Sequence, residues 1–180
     1  RRRQRQMCIR HRGLSEGEVR ERSLEALRLF GIEDLKDEYI YWLPKDKRTY
    51  IAIASILALR PKVIIVDEPT TGLDFIAGLK VMEVLKEMNR RGHTIIFITH
   101  NMKLVAMYAS RVIVMKAGRI LLDGTPREVF SKTDILREAF IKPPQITLLA
   151  QRLSDYGFPP NVLSVDEMYE YVRKIVGGDS

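Results

Sequence analysis

The sequence predicts an α/β protein with a parallel sheet at its core, an antiparallel hairpin at the sheet edge and a small helical appendage at the C-terminus. Two aliphatic runs, at residues 63–66 and 94–99, have the length and composition of strands buried on both faces of a parallel sheet. The strand–helix–strand order implies a right-handed crossover between parallel strands. An amphipathic helix is predicted between them, over residues 75–89, with inward positions at Ile76, Leu79, Val84, Leu85 and Met88.

Two helices are predicted before the first strand. Ser15 can cap the first, because Glu18 stands where its side chain can reach back to the cap, and Gly31 can end it. The second is predicted over residues 44–59, where small and branched apolar residues recur at helical spacing and indicate close packing. These positions are Ile51, Ala54, Ser55 and Ala58.

The second half of the chain begins with a short helix that Asn101 can cap. Apolar runs at residues 111–116 and 119–122 are separated by a turn and predict the hairpin. A further capping box with proline at the first helical position begins at Thr125. The composition then changes to short segments bracketed by prolines, so residues 143–180 are predicted to form the helical appendage.

The net charge of +7 is concentrated at the N-terminus. Residues 1–12 contain six arginines and no acidic residue, and without them 24 basic residues stand against 23 acidic ones. This distribution predicts a basic arm, either solvated or in contact with a membrane surface or partner protein, and argues against nucleic-acid binding. The single cysteine, Cys8, cannot form an internal disulfide, which fits a reducing compartment. The first residue is not methionine, which predicts a piece of a longer protein.

The stretch VIIVDEPTTGLD at residues 63–74 is where chemistry is expected. Asp67 and Glu68 follow the first strand directly, and ligands bind at the carboxyl ends of parallel strands. Pro69 is expected to keep Glu68 extended, and Gly72 to allow a tight turn. Two carboxylates at one strand end suit a hydrated Mg²⁺ and the polarisation of an attacking water. The alternative is a buried strand with incidental acids at its end.

This stretch resembles the Walker B strand, catalytic glutamate and D-loop of ATP-binding-cassette (ABC) ATPases. The resemblance implies that Glu68 is the catalytic base, that Asp67 holds Mg²⁺ through water, and that Asp74 crosses a dimer interface. It also implies that His100, after the second strand, contacts the γ-phosphate of ATP. Structural roles stay open for two of them: Asp74 is also a natural helix N-cap, and a histidine at a strand end is often structural.

The family's LSGGQ signature precedes Walker B and binds the partner's nucleotide. In that register this sequence has Leu43, Pro44, Lys45, Asp46 and Lys47. Pro44 removes a hydroxyl and an N–H group, and Asp46 puts a carboxylate where phosphate should bind. The two lysines offset the charge but not the geometry, so the signature is predicted to be degenerate.

The sequence contains no P-loop motif, G-x-x-x-x-G-K-[ST], so this stretch alone is predicted to be inactive. Segments such as Asp123–Pro126 and Pro143–Thr147 are similar to ATPase subunits of energy-coupling-factor importers, the cobalt/nickel type included. The family places the P-loop before the region where this chain begins. The predicted organisation is a basic arm at 1–12, part of the helical subdomain at 13–60, the ATPase core at 61–142 and the appendage at 143–180.

The resemblance implies ATP and Mg²⁺ as cofactors, a second ABC ATPase subunit and an integral membrane subunit as partners, and a peripheral location on the cytoplasmic face of the cell membrane. It implies vitamin or metal-ion import driven by ATP hydrolysis. Two alternatives remain: an inactive truncated cassette that acts as an interaction module in an ABC heterodimer, and a soluble ABC ATPase without a transport role. No apolar run approaches the roughly 20 residues that a membrane span needs.

Overall fold

The computed structural model describes residues 13–176 of the 180-residue chain. The predicted basic arm and Cys8 lie outside the described residues. The chain divides into two compact units, Arg1–Ile98 and Thr99–Ser180. The predicted domain boundaries at residues 12, 60 and 142 stay predictions.

Within its described residues, the first unit contains three helices, two strands and two short 3₁₀ turns. In chain order these are α1 (Glu16–Arg28), the turns Glu33–Asp37 and Ile40–Trp42, α2 (Lys45–Leu57), β1 (Val63–Asp67), α3 (Phe75–Arg90) and β2 (Thr94–Ile98). The predicted capping box at the start of α1 is confirmed, because the Ser15 and Glu18 side chains each bond the other's backbone N–H. Gly31 follows α1 with φ +65°, a left-handed conformation that glycine adopts freely.

The parallel pairing of β1 with β2 is confirmed, with Asp67 opposite Ile98 at the carboxyl ends. The expected burial on both faces is wrong. Ile64 is 2% exposed, but Ile65 is 62% and its partner Ile96 is 46% exposed. Side chains alternate between the two faces of a strand, and α3 packs on one face only, so within the described residues the other face has no covering layer.

The buried side of α3 differs from the prediction at its first turn. Ile76 was expected inside but is 73% exposed, whereas Ala77 and Val81 are buried. Successive helical residues turn by about 100°, so Ile76 lies roughly opposite the buried stripe. In α2, Ser55 is likewise exposed, and its hydroxyl donates to the Ala52 carbonyl at 2.6 Å. The remaining buried positions of α3 are Gly78, Met82, Val84, Leu85 and Met88.

Up to residue 176, where the description ends, the second unit contains five helices, a 3₁₀ turn and a hairpin. In chain order these are α4 (Met102–Tyr108), β3 (Val112–Lys116), β4 (Arg119–Gly124), α5 (Pro126–Ser131), α6 (Thr133–Glu138), α7 (Gln145–Arg152), the turn Ser154–Tyr156 and α8 (Val165–Val176). The predicted hairpin is confirmed, but β3 and β4 form a two-stranded sheet of their own rather than an edge of the β1–β2 sheet. The predicted caps at Asn101 and Thr125 are also confirmed.

The region predicted as an appendage has a small core of its own. Ala150, Phe158, Val162 and Met168 cluster there, all at most 8% exposed. The fully buried Thr147 donates its hydroxyl to the Val162 carbonyl at 2.6 Å, which satisfies this buried polar side chain. In the described part of the chain, no helix is long and apolar enough to cross a membrane.

Candidate functional site

The two carboxylates of the motif stand at the carboxyl end of the β1–β2 sheet. Asp67 ends β1 and is exposed, and the Glu68 N–H donates to the Ile98 carbonyl at 2.9 Å, which extends the ladder by one residue. The ends of β1 and β2 are therefore adjacent in the first unit. His100 follows β2 by two residues and belongs to the second unit, so its approach to Glu68 stays a prediction.

Glu68 has an unusual backbone conformation, with φ +45°. The expectation that it is extended is wrong. Pro69 disfavours the right-handed helical region, as expected, but the residue adopts the left-handed region instead. That conformation costs a residue with a Cβ atom about 1–2 kcal/mol. The Thr71 hydroxyl donates to Glu68 Oε2 at 3.2 Å, so the carboxylate is held over the turn that follows it.

Asp74 is the N-cap of α3, as one of the two interpretations predicted. Its Oδ1 accepts a hydrogen bond from the Ala77 N–H at 2.8 Å. The predicted role at a dimer interface is compatible with this cap and stays a prediction.

The signature register lies at the start of α2, and its predicted degeneracy stays a prediction. Pro44 is the N-cap of α2 and makes no side-chain capping bond, and the half-buried Leu43 closes the preceding 3₁₀ turn. Asp46 lies in the first helical turn, where its carboxylate is 3.8 Å from Lys47 Nζ. Lys47 Nζ also lies 5.5 Å from the centre of the Tyr50 ring. The acid at the helix start is therefore balanced by its neighbour.

Lys45 makes a contact that the sequence did not reveal. Gly72, in the turn between Glu68 and Asp74, has φ +71°, and a Cβ atom added there would lie 1.8 Å from Lys45 Nζ. The lysine amine therefore occupies the space that any side chain at position 72 would need. The contact joins the start of α2 to the turn that carries the two candidate carboxylates.

Tyr50 makes a second link between these elements. Its hydroxyl donates to the Ala77 carbonyl at 3.3 Å, so α2 is bonded to the first turn of α3. Burial raises the pKa of Tyr50, and the nearby carboxylates of Asp46 and Asp74 add to that rise. The signature register, the turn and the Asp74 cap thus form one cluster within the first unit.

The donor set is compatible with Mg²⁺ bound largely by water and phosphate. Among residues 13–176 no group of three or more His, Cys, Asp or Glu side chains could enclose a metal ion. Magnesium keeps several waters and typically takes one or two carboxylates plus substrate phosphates, so the exposed Asp67 carboxylate is a suitable single ligand. When bound, the metal would neutralise charge on the phosphates.

Comparison with known proteins shows the family of this chain. The family model described as "AAA domain, putative AbiEii toxin, Type IV TA system" matches residues 9–106, and the chain belongs to this AAA-domain family. The homologues of this chain are ATP-binding proteins of ABC transporters, mainly of the energy-coupling-factor type. They confirm the resemblance seen in the motifs.

Three relatives show how far the similarity extends. An ABC transporter ATP-binding protein of Caldanaerobacter subterraneus subsp. tengcongensis is 47% identical over 92% of this chain and 28% of the relative. The energy-coupling factor transporter ATP-binding protein EcfA2 of the same organism is 41% identical over 92% of this chain and 59% of its own length. The structure of cbiO1 from Clostridium perfringens, part of the ABC transporter complex cbiONQ, is 42% identical over 76% of this chain and 55% of that one, with a TM-score of 0.61. The chain thus spans 28–59% of these proteins.

Proposed function

We propose that this chain is part of the ATP-hydrolysing subunit of an ABC importer of the energy-coupling-factor type. The observation that supports it most is the placement of Asp67 and Glu68 at the carboxyl end of paired parallel strands, where ATPases of this fold bind nucleotide. Glu68 polarises the attacking water, Asp67 holds Mg²⁺ through water, and His100 donates to the γ-phosphate. The P-loop comes from residues outside this sequence.

The proposed protein is a peripheral subunit on the cytoplasmic face of the membrane. It works with a second ABC ATPase subunit and an integral membrane subunit, and it drives import of a vitamin or metal ion. Because Pro44 and Asp46 make the signature register unsuited to phosphate, the site that uses this register turns over weakly or not at all. The proposed dimer is therefore asymmetric, with the partner supplying the competent signature.

A chimera tests the proposal. The present chain replaces the matching part of Caldanaerobacter EcfA2, which contributes the rest of its own sequence, and a second form also carries Pro44→Ser, Lys45→Gly, Asp46→Gly and Lys47→Gln to restore LSGGQ. We expect the restored form to hydrolyse MgATP and the unrestored form to be much slower.

Glu68→Gln in the restored chimera should abolish hydrolysis and leave ATP binding intact. Glu83→Gln, at an exposed position of α3, is the matched control and should hydrolyse like the parent. Equal turnover of Glu68→Gln and its control would show that Glu68 is not the base. A restored chimera that folds and binds ATP without any hydrolysis would instead support the second candidate, an inactive cassette that acts as an interaction module, which the degenerate signature favours.

A further inference from the structure

A cavity of about 200 Å³ lies in the first unit, at the end of the sheet opposite to Asp67. Its wall includes Arg60, just after α2, and His93, just before β2. β1 and β2 are five-residue strands, so about 16 Å separates their first residues, beside the cavity, from their carboxyl ends. The cavity is therefore distinct from the candidate hydrolysis site. Its chemistry has no role in the function proposed above.

The rim of the cavity is positively charged. Arg22, Arg60 and Arg91 line it together with a single carboxylate, Glu25, and Arg91 also pairs with Glu87. Arg60 Nη2 is 2.7 Å from Glu25 Oε2, and Arg91 Nη1 is 4.0 Å from Glu25 Oε1. Arg91 Nε also donates to Glu87 Oε1 at 2.9 Å, so two carboxylates hold two of the guanidinium groups and leave three arginines with one positive charge in excess.

Arg22 is the group of the rim with spare hydrogen-bonding capacity. Among the described residues no ion pair or hydrogen bond is found for it, and its positive charge helps to lower the pKa of Glu18, one turn away. It is half-buried on α1. A guanidinium presents a rigid fork of donors that matches an oxyanion.

The base of the cavity is apolar. Ala26, Leu57, Ala58 and Met88 line it and are each at most 5% exposed. The volume equals that of about seven water molecules. A ligand with a charged head and a short apolar body therefore fits better than a bare inorganic ion, because the body would displace water from the apolar base.

Two local features, one at Arg60 and one at His93, hold the rim in this arrangement. Arg60 has φ +48°, a strained conformation for a non-glycine residue, and its N–H donates to the Leu57 carbonyl at 2.9 Å. His93 Nδ1 donates to the Pro61 carbonyl. Both residues are therefore fixed by local contacts and do not need a ligand to order them.

We propose that this cavity binds a compact organic anion, with an oxyanion head on Arg22 and a short apolar body against Met88. The head is a carboxylate or a phosphate monoester, and both chemistries suit the same fork. The inference does not depend on the ATPase proposal. Because α2 starts at the signature register and ends at the cavity wall, about 20 Å away, the site is also placed to sense or bias that helix.

The test is a titration of the full chain, with ¹³C-methyl methionine and ring-labelled histidine followed by NMR. The probes are butyrate, propyl phosphate and butylammonium, and the last has a similar body with the opposite charge. We expect the Met88 methyl and His93 ring signals to shift and saturate at millimolar butyrate or propyl phosphate, and not with butylammonium. The anion that binds with the higher affinity identifies the preferred head group.

Variants locate the site. Arg22→Gln should weaken binding at least tenfold, and Arg22→Lys, which keeps the charge without the fork, should lie in between. Arg20→Gln, at an exposed position of the same helix that does not line the cavity, is the matched control. Absence of a saturable shift with either anion, equal shifts with butylammonium, or equal affinities for Arg22→Gln and Arg20→Gln in folded protein would each overturn the proposal.

Discussion

Replacing Glu68 by glycine should leave the chain more stable than replacing it by alanine, which is the reverse of the usual order. The reason is the left-handed backbone at this position, φ +45°, which a Cβ atom opposes. Both substitutions remove the carboxylate and the hydrogen bond from Thr71, so that loss cancels when the two variants are compared. What remains is the backbone term alone.

The expected difference is the balance of two opposing effects. A residue with a Cβ atom pays about 1–2 kcal/mol in the left-handed region, whereas glycine pays nothing for its φ. Glycine loses about 0.5–1 kcal/mol more than alanine in backbone entropy on folding. The glycine variant should therefore be the more stable by roughly 0.5–1 kcal/mol.

Urea denaturation followed by circular dichroism would measure this difference in the free energy of unfolding. The control pair is Lys80→Ala and Lys80→Gly, at an exposed position within α3, where alanine should be the more stable by about 1 kcal/mol. A preference for alanine at both positions would refute the reasoning, because it would mean that Glu68 is not held in a left-handed conformation.

Three further outcomes are expected. Gly72→Ala should destabilise the chain by about 1–2 kcal/mol. Adding Lys45→Ala to that variant should recover part of the lost stability, which urea denaturation midpoints would measure. Equal midpoints for the single and the double variant would contradict the contact between Lys45 and Gly72. Ile65→Thr should reduce binding of the dye ANS with a stability change within about 0.5 kcal/mol, and undiminished dye binding would contradict the open sheet face. Hydrogen bonds from the Thr125 N–H and hydroxyl hold the pKa of Glu128 below its ordinary 4.5. Their contribution to the free energy of unfolding is therefore fully present above pH 4.5 and is lost as the pH falls through the lower pKa that Glu128 has in the folded chain. The advantage of the parent over Glu128→Gln should shrink in that window, and a constant difference in urea midpoint from pH 6 to 3 would speak against it.

The features that could be predicted from the sequence are those that depend on neighbours along the chain. The capping boxes at Ser15 and Thr125 need only a hydroxyl and a glutamate three residues later, and both formed. The caps at Asp74 and Asn101 are equally local. The parallel pairing of β1 and β2 followed from the single helix between them, since a helical crossover is the usual connection between parallel strands.

The features that could not be predicted depend on what lies across the fold. Ile64 and Ile65 are identical in type, and only the presence of a packed helix on one face decides that one is buried and the other exposed. The contact of Lys45 with Gly72 joins two segments that are distant in the sequence, and no pattern in either segment predicts it. The left-handed conformation of Glu68 was missed because Pro69 rules out one region of backbone space and does not choose between the others.

Trp42 gives the chain a built-in optical probe of its signature register. It is the only tryptophan in the sequence, it is 83% exposed, and its indole stands edge-on to the Tyr39 ring with 5.4 Å between centroids. The tryptophan emission of the protein therefore comes from one hydrated fluorophore, three residues before Lys45, with a tyrosine donor beside it. Any molecule that covers the start of α2 should shift that emission to the blue, so engagement of this end of the helix can be followed in real time without a label.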